Sequence, residues 1–142
     1  MIYADNAATT QIDKDAFEAM IPFLTNEYGN ASQPYSFAIR EKNALADARK
    51  IIAECINANP EEIFFTSGGT ESDNWAIKMG CKVRGGNVVT SEIEHHAILN
   101  ACEAIKKDGI EIKYLSVDST GVVNIDDAQN IIDKNTGLVS VM

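Results

Sequence analysis

Cysteine is scarce in this sequence: Cys55, Cys81 and Cys102 are the only three, widely spaced and without a C-x-x-C. An odd number at such spacing excludes a disulfide scaffold and favours a reducing compartment, the cytoplasm. Long apolar runs are missing too. The longest are a few residues, far short of the roughly 20 a membrane-spanning helix needs. The opening residues Ile2-Tyr3-Ala4-Asp5-Asn6 show no basic stretch leading into an apolar one, so no secretory signal is expected. Positive charge is in deficit: 12 Lys and Arg stand against 21 Asp and Glu, for a net charge of −9. Nucleic-acid binding needs clustered cations, and so does docking on an anionic membrane surface; neither is expected here. No internal repeat, low-complexity tract or Pro/Gly/Ser linker divides the chain.

What is present is ordinary for a globular chain. Its 142 residues are 45% hydrophobic and 23% charged, enough to bury a core without covalent staples. Phe17, Met20, Ile21 and Leu24 recur at i, i+3, i+4 and i+7, one face of a helix, with Asp13 as its N-cap. Turn residues at 28–32 break the pattern. A second helix is predicted over about 36–57, with Ala44, Leu45, Ala48, Ile51, Ile52, Cys55 and Ile56 on its apolar face, ended before Pro60.

From Ile63 the pattern changes to alternating strands and helices. Extended segments are predicted at 63–66, 87–91, 111–117 and 138–142. Helices are predicted at 67–79, 97–107 and 125–133, the second burying Ile98, Leu99, Cys102 and Ile105 and stopped by Gly109, the third capped by Asp126 or a neighbour. Strands separated by helices of about ten residues indicate βαβ units and a parallel sheet with helices on its faces, an α/β fold. The chain divides into an entry segment with helices, 1–60, and the first part of a large α/β domain, 61–142. It stops within an apolar run, which suggests the amino-terminal piece of a longer protein.

Three segments carry candidate chemistry. In Thr66-Ser67-Gly68-Gly69-Thr70-Glu71-Ser72 the glycines allow close backbone approach, hydroxyls add donors, and the following helix aims free N–H groups at the same point. Such a site suits a phosphate; the plainer reading is a capped turn with Thr70 or Ser67 as N-cap. Neither G-K-[ST] nor G-x-G-x-x-G follows. Ser91-Glu92-Ile93-Glu94-His95-His96-Ala97 lies past a strand and before a helix, where open parallel sheets place ligands, and holds both histidines of the chain. A histidine there can stack on a flat ring or exchange protons near neutral pH. Metal binding by Glu92, Glu94, His95 and His96 is a rival, weakened by the lack of a spaced third ligand, and no metal is expected. The small residues of Tyr3-Ala4-Asp5-Asn6-Ala7-Ala8-Thr9-Thr10 permit close packing, and Asn6 can hydrogen-bond a ligand or its own backbone.

Together, D-N-A-A-T-T, G-N-x-S-Q-P-Y-S-F, F-T-S-G-G-T-E-S-D-N and S-E-I-E-H-H-A resemble, in order and over essentially the whole chain, the cysteine desulfurases of the class V aminotransferase superfamily. The resemblance implies part of the large domain of the aspartate-aminotransferase-like fold (pyridoxal-phosphate fold type I). It implies pyridoxal 5′-phosphate as cofactor, its phosphate held by the Gly69 backbone and the Thr70 backbone and hydroxyl. It implies His95 as the residue that stacks on the pyridine ring and takes part in proton transfer, with Asn6, Ala7 and Ala8 lining the substrate mouth. The implied reaction takes L-cysteine to L-alanine and leaves a persulfide for a sulfur-acceptor or scaffold protein in iron–sulfur or thiocofactor assembly. The family's Schiff-base lysine and nucleophilic cysteine match no residue of these 142, so the chain alone is expected to be inactive and to bind the cofactor weakly. His96 and Ala31 depart from residues common in the family. Cys55 and Cys102 are expected in the core and Cys81 exposed. A homodimer, or self-association that hides uncovered apolar faces, is expected. Alternatives are a selenocysteine lyase or another class V aminotransferase, a non-catalytic short form acting in binding or assembly, and, last, a nucleotide-binding α/β domain.

Overall fold

A computed structural model describes residues 2–142, which divide into two compact units at Phe64/Phe65. In the first unit, a turn at 6–8 leads to helix α1, Lys14–Thr25. The Asp13 carboxylate accepts the N–H groups of Asp15 and Ala16, the expected N-cap. A 3₁₀ turn at Ser36–Ala38 runs into helix α2, Ile39–Cys55, and a second at Pro60–Glu62 is closed by a reciprocal Asn59–Glu62 capping box. The 28–32 turn is tied to α2: the Gly29 N–H donates to Glu41 Oε1 at 2.7 Å, Glu27 pairs with Arg40, and the Tyr28 and Phe37 rings meet edge to face at 5.2 Å. A Cβ at Gly29 would lie 3.0 Å from Ala38 Cα and from the Phe37 carbonyl oxygen, so the contact requires glycine.

The apolar faces of both helices differ from expectation. No residue of α1 is buried, and in α2 only Ala53 is. Leu24, Ile51 and Ile56 are 66%, 60% and 64% exposed, and Cys55 is exposed as well. The helical periodicity holds, but most of each stripe stays exposed, although α2 packs against both 3₁₀ turns.

The second unit holds the sheet. Strands β1 (Asn87–Ser91), β2 (Ile112–Leu115) and β3 (Thr136–Ser140) form a parallel sheet in the order β2-β1-β3. Val88 pairs with Ile112 on one side and Leu138 on the other. Every residue of the central strand is buried, as a strand flanked on both edges and packed on its faces must be. Helices α3 (Gly69–Arg84) and α4 (His96–Lys107) pack on each other, and α5 (Ile125–Ile131) packs against β2. The core joins Ile77 and Cys81 of α3, Val88 of β1, and Ile98, Ala101, Cys102 and Ile105 of α4, with Ile110, Ile112 and Leu138 at its border.

Two expectations change here. The 63–66 segment joins no sheet, since no strand lies beside it to complete a ladder. Helix α3 continues to Arg84, five residues past the predicted end, which carries Cys81 into the core at 5% exposure instead of leaving it at an exposed end. Gly85 and Gly86, at φ +68° and +82°, turn α3 into β1. A Cβ on Gly86 would lie 2.0 Å from the Asn135 carbonyl oxygen. Among the described residues no helix is long and apolar enough to cross a membrane.

Candidate cofactor site at the carboxyl edge of the sheet

Only two residues separate the last turn of α3 from β1, and α3 packs along β1, β3 and α4. The helix therefore runs against the strands, and its first residues, Gly69 and Thr70, point toward the carboxyl edge of the sheet. Helix α4 starts at His96, just past the end of β1, on that same edge. Both helix N-termini thus serve the edge where parallel sheets bind ligands.

The start of α3 is uncapped. Gly68 stands at the N-cap with no side chain to offer, and its carbonyl accepts the N–H groups of Glu71 and Ser72. The preceding N–H groups, those of Gly69 and Thr70, belong to the set a helix leaves unsatisfied. Glu71 puts a negative charge in this first turn but is turned back, its carboxylate accepting both the N–H and the hydroxyl of Ser67 at 2.7 Å. Those two bonds, the backbone one foremost, hold the Glu71 carboxyl below its usual range. The Thr66 and Ser72 hydroxyls meet at 2.7 Å and the Asn74 amide donates to the Thr70 carbonyl, bracing the turn from both sides. A Cβ at Gly68 or Gly69 would meet nothing within 4 Å, so the space beside the turn is open. Unsatisfied N–H groups, a free helix start and open space fit a phosphate group. Thr70, offered as one possible N-cap, lies inside the helix, and Ser67 serves Glu71 instead.

His95 is the N-cap of α4, where its Nδ1 accepts the Ala97 N–H at 3.1 Å. A ring that accepts a hydrogen bond at Nδ1 leaves its ring proton to Nε2. The ring is exposed, and the His96 ring lies 6.3 Å away at a 55° tilt. Among the described residues no group of three His, Cys, Asp or Glu side chains is placed to hold a metal.

Glu94, considered from sequence only as a metal ligand, is 7% exposed. Its Oε1 accepts the Ser91 hydroxyl at 2.7 Å and the Met142 N–H at 2.6 Å. A carboxylate so placed joins the end of β1 to the chain beyond β3. The signal available in sequence was its position, an acid between a strand end and a helix start, but its burial was not legible. Asn6, Ala7 and Ala8 lie in the first unit, on an exposed turn closed by Ala8 N–H to the Asp5 carbonyl, with the Thr10 hydroxyl donating to the Asn6 carbonyl. Gly69, Thr70 and His95 belong to the second unit.

The family profile for aminotransferase class-V matches residues 2–142, and the chain belongs to that family. These are pyridoxal-phosphate enzymes. The cysteine desulfurase IscS of Clostridium botulinum is 44% identical over 144 residues, covering 99% of this chain and 36% of the relative. A solved NifS-like protein superposes with a TM-score of 0.91 at 36% identity, covering 97% of this chain and 39% of the other. A structure described as SspA in complex with cysteine follows at 0.89 and 35%, covering 98% and 41%. The chain thus spans about 36% of the length of the curated relatives it matches. The likeness in fold confirms the α/β architecture with a parallel sheet expected from sequence.

Proposed function

We propose that this chain provides the phosphate grip and the ring-facing histidine of a pyridoxal-phosphate-dependent cysteine desulfurase. Its substrate is L-cysteine, its products L-alanine and a persulfide handed to a sulfur-acceptor or scaffold protein for iron–sulfur or thiocofactor assembly. The observation that carries the reading is the uncapped α3 start at Gly69–Thr70 on the same sheet edge as the exposed His95, in a chain 44% identical to cysteine desulfurases. The neighbour bound to cysteine favours that substrate over other amino acids.

In this reading the Gly69 and Thr70 N–H groups and the Thr70 hydroxyl hold the phosphate. His95 lies against the pyridine ring and holds its proton at Nε2, because Nδ1 is engaged by Ala97. A proton taken up at Nδ1 would cost that cap. Pyridoxal phosphate, once bound, supplies the electron sink that lets a proton leave the substrate α-carbon. The resemblance in sequence also assigns a substrate-binding role to Asn6, Ala7 and Ala8 of the first unit. Three free cysteines favour a cytoplasmic protein, and the exposed apolar side chains of α1 and α2 favour self-association, as a homodimer.

Absorbance titration with pyridoxal phosphate tests the grip. Thr70→Ala should weaken binding on the order of tenfold or more, the value of a hydrogen bond to a charged group, and inorganic phosphate should compete. Unchanged affinity in Thr70→Ala, with no competition, overturns the proposed grip. The 142 residues alone should release no sulfide from cysteine. Turnover by them would disprove the account of the unmatched lysine and thiol.

A further inference from the structure

We infer that Glu94 is a positioning residue for His95, acting through the loop that joins β1 to α4. The inference rests on the reading that His95 faces the cofactor. A carboxylate at 7% exposure needs a reason to be there. The structure supplies two. Glu94 Oε1 accepts the Ser91 hydroxyl, at the last residue of β1, and the Met142 N–H, just beyond β3. It also precedes the N-cap of α4, where a negative charge is favoured by the helix dipole.

The consequence falls on the next residue. His95 is exposed, and the hydrogen bond shown for its ring is the Ala97 N–H to Nδ1 at 3.1 Å. A cap of that kind holds the imidazole only if the backbone entering it is fixed. Glu94 fixes it, by tying the loop at once to the strand it leaves and to the segment after the neighbouring strand. One buried oxygen therefore sets the direction of an exposed ring. Both donors need an acceptor at Oε1 and neither needs the charge, so glutamine can replace glutamate and alanine cannot.

Imidazole ¹⁵N spectra of the full protein without cofactor test this, recorded at about pH 9, where histidine side chains are neutral. In the wild type, His95 Nδ1 should resonate as a bare acceptor and Nε2 as an N–H nitrogen. Glu94→Gln should keep that pattern. Glu94→Ala should bring the two shifts together as the tautomers mix, and Ala97 amide exchange should quicken on the order of fivefold to tenfold, the worth of one hydrogen bond. Should Glu94→Ala fail to fold, Ser91→Ala removes one donor alone and should move both readouts in the same direction. An unchanged His95 spectrum in a folded Glu94→Ala or Ser91→Ala protein overturns the inference, as does a Glu94→Gln spectrum matching that of Glu94→Ala. The measurement contains no cofactor, so its failure is separable from failure of the functional reading. The latter is tested by His95→Ala, which should weaken pyridoxal phosphate binding, and unchanged binding there counts against the ring contact.

Discussion

Cys102 sits fully buried on α4, and burial is the main cause that pushes its thiol up to about 11, with the nearby Cys81, Glu94 and Glu103 adding to it. The folded state thus holds the proton at a pH where the unfolded chain has released it. Stability is present in full below the ordinary thiol range and declines as pH rises through it toward about 11. Urea midpoints at rising alkaline pH should show that decline, and Cys102→Ala should flatten it. Thiol reagents should label Cys55, the exposed cysteine, while Cys81 and Cys102 stay protected until unfolding. Glu71 has the opposite sign. Its lowered carboxyl supports the 67–71 turn above the ordinary carboxylate range, and that support is lost as pH falls through the depressed value. Amide exchange at Ser67 should quicken in acid, and Glu71→Gln should remove the pH dependence.

Caps and turns decide the elements. The Asn124 side chain accepts the N–H groups of Asp126 and Asp127 at the start of α5, a neighbour of the cap expected from sequence. Asn124→Ala should cost about 1 kcal/mol, read as a lower urea midpoint. Gly86→Ala should cost more, about 3 kcal/mol or above, because a Cβ would strike the Asn135 carbonyl at 2.0 Å and φ is +82°. Elements with a local signal were legible. Asp13 announces α1, the extended segment at 87–91 is β1 residue for residue, and Gly109, at φ +89°, ends α4 as expected. Elements whose limits depend on neighbours were not. Helix α3 outran its predicted end because Ile77 and Cys81 find the α4 face to pack on, and 63–66 made no ladder because a strand exists only beside another strand.

For the molecule, the unpaired stripes matter most. Phe17, Met20 and Leu24 on α1, Ile51 on α2 and Ile56 at its C-cap remain 45% to 66% exposed, apolar surface of a kind that drives association. Light scattering should report self-association, and Leu24→Lys with Ile51→Lys should reduce it. A well-behaved wild-type monomer at high concentration would contradict this. The sequence by itself determined the parallel α/β plan, the helix periods and the three motifs, because alternation, capping and glycine placement act over a few residues. Tertiary structure alone decided that Cys81 is buried and Cys55 exposed, that Glu94 is an internal brace, and that α3 and α4 begin on one edge of the sheet. Each of those depends on groups up to 48 residues apart meeting in space, as Glu94 and Met142 do, and no local pattern records such a meeting.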